Sequence, residues 1–394
     1  MFELTAHTEP GARLVRIAET LADDLASRAA LHDREASFPF ASVDALKRAG
    51  YFAAPIPVQY GGMGVSSVHD AVVASSRLAR GDASVAIGVN MHLVVLLNLV
   101  RRWQAAVAAG NARRIATLGA SLEAIARDGV VMSTAISELG QDLTRPRTTA
   151  TRTVSGWRID GRKAFCTMSP AATVLFTAVT FVGDDGVERY GYAQVPTDAP
   201  GVEIHHDWDA LGMRASGSHS VTLAGVELPA EALRGGFVAG DADAYMERNL
   251  IAGLFHAAAS LGIAESAASI ATDAASAHGE PDARTRMLIA ENAIELGACR
   301  ATLSRSATLV DDSDRNVVAL FAETQAAKAF VNEAAARIVD RALAISGGAG
   351  YRGDHPLARA YRDVRAGSFM HPLGANRAYE LLGDLALGRA HALR

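Results

Sequence analysis

The sequence predicts an α+β protein in three successive parts: an N-terminal α-helical domain over residues 1–128, a central β-domain of barrel or sandwich type over 129–235, and a C-terminal four-helix bundle over 236–394. Three observations predict it. Up to about Arg127, apolar residues recur at spacings of three and four, as in LVRIAETLADDLASRA, VDALKRAGYFAAP and HDAVVASSRLA, which is the period of an amphipathic helix. From Gly129 to Gly235 the pattern turns to β-rich stretches separated by turn dipeptides. Beyond Pro229 only Pro281, Pro356 and Pro372 remain, and alanine, leucine and glutamate dominate, as long uninterrupted helices require.

Within the first part, Pro55, Pro57, Gly61, Gly62 and Gly64 break the helical pattern and predict a loop. In the second, Ser155-Gly156, Asp160-Gly161 and Asp185-Gly186 are hairpin signals among the strand-like runs VLFTAVTFV, YGYAQV and SVTLAGVEL. In the third, the spacing fits antiparallel helices at roughly 244–278, 284–312, 316–346 and 356–390. Neither a βαβ alternation nor a repeat of fixed period is present, which argues against Rossmann, TIM-barrel and solenoid folds.

With 394 residues, 49% of them hydrophobic, the chain can bury more than one core. Its net charge is −5 and it carries no basic run, so neither nucleic acid nor an anionic membrane surface is expected as a partner, while the charge leaves a small aromatic or carboxylate ligand open. The N-terminus has acids and an early helical pattern rather than a basic stretch and an apolar core, and no export signal is read there. The most apolar window, Val85 to Val100, is interrupted by Asn90, His92 and Asn98 and is shorter than the ~20 residues of a membrane span, so it reads as a buried helix. Cys166 and Cys299 stand far apart without a CxxC or Cys/His cluster. That usage fits a reducing cytoplasm, and no metal site is expected.

Local motifs are few. Gly348-Ala349-Gly350-Tyr351-Arg352-Gly353 satisfies GxGxxG, but it follows a helix instead of a strand and precedes the Pro356 turn, so a glycine cap ending that helix competes with any dinucleotide loop. Neither GxSxG nor HExxH occurs.

A distributed pattern says more. SGGAGYRGDHPLARAYRDVRAG, AISELGQD, IDGRKAFCT, ALGMRASGSHSVTLAGVELP and VQYGGMG resemble, in order and relative position, five signature stretches of acyl-CoA dehydrogenases. The resemblance runs from about residue 39 to 383 and implies the acyl-CoA dehydrogenase fold with a flavin site. It implies that Thr134, Ile136 and Ser137 line the pyrimidine edge of the flavin, that Phe165 shields the ring and that Thr167 faces its N5. It further implies that Gly347 and Gly348 let the backbone approach the pyrophosphate or adenosine half across a subunit boundary. A homotetramer, or at least a homodimer, follows. Read locally, Phe165 and Thr167 alternate on a hairpin strand and need no ligand.

The departures from that family carry the functional expectation. Where dehydrogenases place the glutamate that removes an α-proton, the run YRDVRAGSFMHPL holds His371. Ser137-Glu138-Leu139 replaces Thr-Glu-Pro, and no arginine-phenylalanine-glycine clamp for FAD is visible in HGEPDARTRML, so FMN stands beside FAD as the cofactor. Loss of the carboxylate with gain of a histidine resembles the two-component oxygenases of this fold: phenol hydroxylases, thiophene-sulfur oxygenases, amino-sugar nitrososynthases and indole oxygenases. The expected enzyme is therefore a monooxygenase fed FADH2 by a separate NAD(P)H:flavin reductase. It would hydroxylate an aromatic or N-heteroaromatic, indole-type molecule with O2 through a C4a-hydroperoxyflavin. With an ordinary pKa of about 6.5, His371 would shuttle a proton near neutral pH; its competing reading is a buried helix-capping histidine. Thr167 and His92 are the other catalytic candidates, His92 competing with a role as a satisfied core residue. His205-His206 reads as surface.

Two rival activities share the fold. A nucleotide-amino-sugar N-oxygenase would need a basic cluster at the pocket mouth, for which Arg145, Arg147 and Arg152 are candidates. A dehydrogenase would need a displaced base such as Glu247, Glu291 or Glu295. A catalytically silent binding protein would keep the architecture without tight flavin binding.

Overall fold

The computed structural model describes residues 3–140, 142–233, 236–277, 279–312 and 316–389. The N-terminal helices are α1 (Glu9–Glu35), α2 (Phe40–Arg48), α3 (Val68–Gly81), α4 (Ala83–Ala108) and α5 (Ala112–Arg127). Their starts follow local chemistry: the side chains of Thr8, Ser67, Asp82 and Asn111 accept hydrogen bonds from the first-turn amides of α1, α3, α4 and α5. The Pro/Gly cluster forms the loop between α2 and α3, with Gly61 and Gly64 at positive φ. Helix α4 is long and apolar enough to cross a membrane by composition, but 83% of its apolar window is buried in the protein, in keeping with a core helix.

The central strands are β1 (Met132–Ala135), β2 (Thr149–Arg152), β3 (Gly156–Cys166), β4 (Val174–Val182), β5 (Glu188–Pro196), β6 (Val202–Ile204), β7 (His219–Pro229) and β8 (Phe237–Val238). They form one sheet in the order β6-β7-β3-β2-β4-β5-β8, with β1 added parallel to β4. Two of the three hairpin signals are turns: Ser155-Gly156 joins β2 to β3, and Asp185-Gly186 joins β4 to β5. Asp160-Gly161 instead lies inside β3 at a bulge. There Asp160 Oδ1 accepts from the Gly225 amide at 2.7 Å, and a Cβ on Gly161 would fall 2.4 Å from Thr148 Oγ1. The dipeptide serves a close approach between strands rather than a chain reversal. Period-two alternation buries Leu175, Val179, Ala193 and Val195 in the β-domain's own core and turns Phe176, Tyr190 and Tyr192 to a second cluster that includes Val95 of α4. The proposed end of this domain at Gly235 lies outside the described residues.

The C-terminal helices are α6 (Ala242–Asn249), α7 (Ala252–Ala277), α8 (Ala283–Asp312), α9 (Val317–Gly350), α10 (Pro356–Val364) and α11 (Ala375–Ala386). Two predicted helices are thus divided. The first breaks between α6 and α7. The fourth is interrupted from Arg365 to Gly374 by a short 3₁₀ turn over Arg365–Phe369 and a bend at His371-Pro372; its predicted end at 390 is outside the described residues. Pro372 cannot continue a helix, and Gly367 is held against α9 and α7, where a Cβ would lie 2.7 Å from Asn332 Cγ and 2.9 Å from Ser260 Oγ. Helix α9 kinks at Gly347 (φ 58, ψ −146), one residue ahead of the Gly348–Gly353 motif, and helical geometry resumes through Gly350. One hydrophobic core runs from α1, α3 and α4 into α7, α8 and α9, so the two helical parts are packed as a unit with the sheet against one side.

Candidate functional site

A cavity of about 450 Å³ lies where the sheet, α4, α6, α7 and the interruption between α10 and α11 meet. Thr134, Ile136, Ser137, Phe165 and Thr167 all line it, as does His371. The β-side wall is set by backbone geometry. The Ser137 carbonyl accepts from the Ala164 amide at 2.9 Å, and β3 then shifts register, with Phe165 at φ 56. A bulky residue in that region is strained, and here the strain leaves Phe165 58% exposed, its ring edge-on to Trp208 at 5.9 Å. Thr167 is anchored from behind: its carbonyl accepts from Ser133 Oγ at 2.7 Å and its hydroxyl oxygen accepts from Ser218 Oγ at 3.0 Å. The loop after Ser137 is pinned by Glu138, which takes Lys163 Nζ and Thr148 Oγ1 at 2.6 Å each. Burial pushes the Glu138 carboxyl up, but the Lys163 ammonium overcomes this and holds it below the ordinary value.

His371 sits on the opposite wall. Its Nε2 is 3.0 Å from Asn249 Oδ1 and 3.4 Å from the Tyr245 hydroxyl, which itself donates to the Pro372 carbonyl at 3.0 Å. Asn249 Nδ2 donates to the Tyr245 carbonyl, so Oδ1 is the acceptor and His371 carries its hydrogen on Nε2. Nδ1 has no hydrogen-bond partner among the described residues. Burial, and then the Lys328 ammonium, push the imidazole down to about 3. His371 is therefore uncharged near neutral pH, and the expectation that it titrates there is corrected: as a neutral ring it donates from Nε2 and leaves the Nδ1 lone pair available to accept.

His92 is also corrected as a catalytic candidate. It is fully buried, its Nε2 faces the Phe52 carbonyl at 3.0 Å and its Nδ1 accepts from the Met132 amide at 3.1 Å. Both nitrogens are committed to backbone, and Met91 lines the cavity in its place. Gly347 and Gly348 are exposed at the end of α9 and do not line the cavity. Neither do the arginines of the suggested basic cluster: Arg145 pairs with Glu188, and Arg152 stacks on Trp157. His206 is exposed, while His205 is partly buried and bonded to Thr222 Oγ1 at 2.7 Å.

Two lining residues carry no sequence motif. Arg248 lies over the rings of Phe176 and Tyr192 at 4.8 and 4.7 Å, and no carboxylate pairs with it among the described residues. His256 on α7 is buried with both ring nitrogens unpartnered, and burial holds it well below its ordinary pKa. A lone histidine in AGLFHAAASL and an arginine ending α6 look like ordinary helix residues, and only packing brings them to one cavity. The candidate displaced bases are absent from it: Glu247 is exposed, and Glu291 and Glu295 are paired with Arg341. Among the described residues no carboxylate lines the cavity.

Family models for the acyl-CoA dehydrogenase N-terminal, middle and C-terminal domains match residues 14–106, 132–226 and 254–371. The chain belongs to the acyl-CoA dehydrogenase family. Within that family it is similar over nearly its whole length to amino sugar nitrososynthases and, at 32% identity over 90% of this chain and 91% of that protein, to the putative acyl-CoA dehydrogenase YdbM of Bacillus subtilis. It is 34% identical to amino sugar nitrososynthase RubN8 of Streptomyces rubradiris, over 98% of this chain and 92% of that protein. It is 32% identical to the L-evernosamine nitrososynthase of a Micromonospora species, over 97% and 91%. Among solved structures, KijD3 in complex with FMN and dTDP-3-amino-2,3,6-trideoxy-4-keto-3-methyl-D-glucose superposes with a TM-score of 0.90 at 30% identity, covering 99% of this chain and 97% of that one. FMN-bound TdsC of Paenibacillus sp. A11-2 superposes at 0.85 over 97% and 99%, but at 23% identity it speaks for the fold alone.

Proposed function

We propose that the chain is a reduced-flavin-dependent oxygenase that oxidises the amino nitrogen of a sugar, the substrate class named for its nitrososynthase relatives. The observation that carries this reading is the cavity without a carboxylate. Removal of an α-proton from an acyl thioester needs a base there. Oxidation of an amine needs the opposite: with no carboxylate to stabilise an ammonium, a desolvated amine stays neutral and keeps its lone pair.

The residues fit a flavin. Phe165 offers an exposed aromatic face inside the cavity, and the Thr134, Ser137 and Thr167 hydroxyls and nearby amides suit a ring edge of alternating polar atoms. FAD or FMN, delivered reduced by a separate NAD(P)H:flavin reductase, supplies the electrons with which O2 is activated. One oxygen atom then goes to the substrate nitrogen and the other to water. His371, donating from Nε2 to Asn249, presents Nδ1 to a substrate N–H and so orients the nitrogen. Arg248 takes an anionic part of the substrate, such as a nucleotide diphosphate. Gly347 and Gly348 serve the cofactor of a neighbouring subunit in a homo-oligomer.

A second reading, hydroxylation of an aromatic or indole-type molecule, is supported by the apolar and aromatic rim of Phe165, Trp208, Phe369 and Met370. Both are tested by mass spectrometry under ¹⁸O₂ with a flavin reductase, NADH and FAD or FMN. The labelled product is expected from a dTDP-amino sugar. Label appearing only in indole selects the second reading, and label in neither, with desaturation of an acyl-CoA, rejects both.

A further inference from the structure

Lys328 is buried in α9, 3% exposed, and among the described residues no carboxylate pairs with it. Burying an ammonium is costly unless its donors are used. Here they are aimed at one place: Nζ donates to the Met370 carbonyl and, at 2.7 Å, to the Leu373 carbonyl. One turn further along the same face of α9, Asn332 Nδ2 donates to the Gly367 carbonyl at 2.8 Å. Opposite, the lysine stem packs against Gly253 of α7, where a Cβ would be in ordinary contact at 3.4 Å from Lys328 Cδ. Two polar side chains of one helix thus grip three carbonyls of the segment that interrupts the last helix.

We propose that Lys328 is a positioning residue for His371: from α9 it latches the two carbonyls that bracket His371 and so holds the imidazole in the cavity wall. The groups facing this latch are His256 on α7 and His371 itself, with Tyr245 of α6 on the far side of His371. Burial pushes Lys328 down to about 7, so below that pH its ammonium disfavours a second positive charge on either histidine, and the latch holds His371 in the cavity wall. Both effects keep His371 neutral, whatever the cavity oxidises.

The test needs neither flavin nor substrate. In the full chain labelled with ¹⁵N-histidine, the His371 signals, assigned with His371→Asn, are expected to stay those of a neutral ring down to pH 5. In Lys328→Met the midpoint of His371 is expected to rise by about two pH units as charge and latch are lost, and the amides of residues 371 and 373 to exchange faster. If Lys328→Met does not fold, Lys328→Gln, which keeps an N–H donor group without charge, gives the same reading with a smaller shift. A folded variant with unchanged His371 titration and unchanged exchange overturns the proposal.

Discussion

His371 occupies the glutamate position of a dehydrogenase, but the neighbourhood changes with it: a neutral amide, a tyrosine and a buried ammonium surround the ring. Replacing it with alanine should leave flavin affinity unchanged while product formed per O2 consumed falls on the order of a hundredfold, read by parallel oxygen-electrode and product assays. His92 has a different consequence. Burial holds it down to about 4, whereas in the unfolded chain it titrates near 6.5. Between those values only the unfolded state binds the proton, so stability is fully present above about pH 6.5 and is lost as pH falls toward 4, by about 3 kcal/mol from this group. Urea unfolding midpoints at pH 7 and pH 4.5 should show that slope, and His92→Gln should flatten it. Thr167 and Phe165, which line the cavity, were legible only through the ordered set of motifs, since read locally they merely alternate on a strand. The titration state of His371 was not, since it depends first on burial and then on Lys328, 43 positions away in the sequence.

The interruption between α10 and α11 is the element that makes the cavity. Periodicity alone continues a helix from 356 to 390, because the apolar spacing resumes after Gly374; only Gly367, Pro372 and Gly374 mark the break. Its geometry is fixed by contact with α9 and α7. Gly367→Ala would force a Cβ to within 2.7 Å of Asn332. The expected cost is about 1–3 kcal/mol of stability, measured by thermal unfolding, with a larger proportional loss of oxygenation as the segment moves. Likewise Asp160-Gly161 carries a turn signature but works as a bulge, because Thr148 on a neighbouring segment needs the space.

Three parts of the chain are stitched together beside the cavity. Arg362 of α10 pairs through both terminal nitrogens with Asp33 of α1 at 2.8 and 2.5 Å, and the next residue, Asp363, accepts from the Met213 amide of the β-domain at 2.6 Å. Arg362→Ala leaves a nearly buried Asp33 unpaired, and calorimetry should find the melting temperature lowered by several degrees, in line with about 3 kcal/mol. Asp33→Asn in the same background should recover part of it, because the uncompensated charge is then gone. The arginine that faces the cavity with no carboxylate partner, Arg248, should behave differently: Arg248→Gln is expected to raise KM for a nucleotide-linked substrate at least tenfold with little change in melting temperature, as removal of a ligand contact would.

By itself the sequence determined the order helix, sheet, bundle, and the sheet-side wall of the cavity. The first follows from periodicities and punctuation that act over a few residues, and the second from five short motifs whose spacing is preserved. Tertiary structure decided what faces the cavity from the helical side. His256 and Arg248, which line it, and Lys328, which lies behind it, sit on helices whose local pattern is ordinary, and they acquire meaning only from desolvation and from which partners packing supplies or withholds. It also decided which candidates to discharge: His92 found two backbone partners, and Glu291 and Glu295 found an arginine. Hydrogen-bond satisfaction is a property of the folded neighbourhood and is not written in the spacing of residues along the chain.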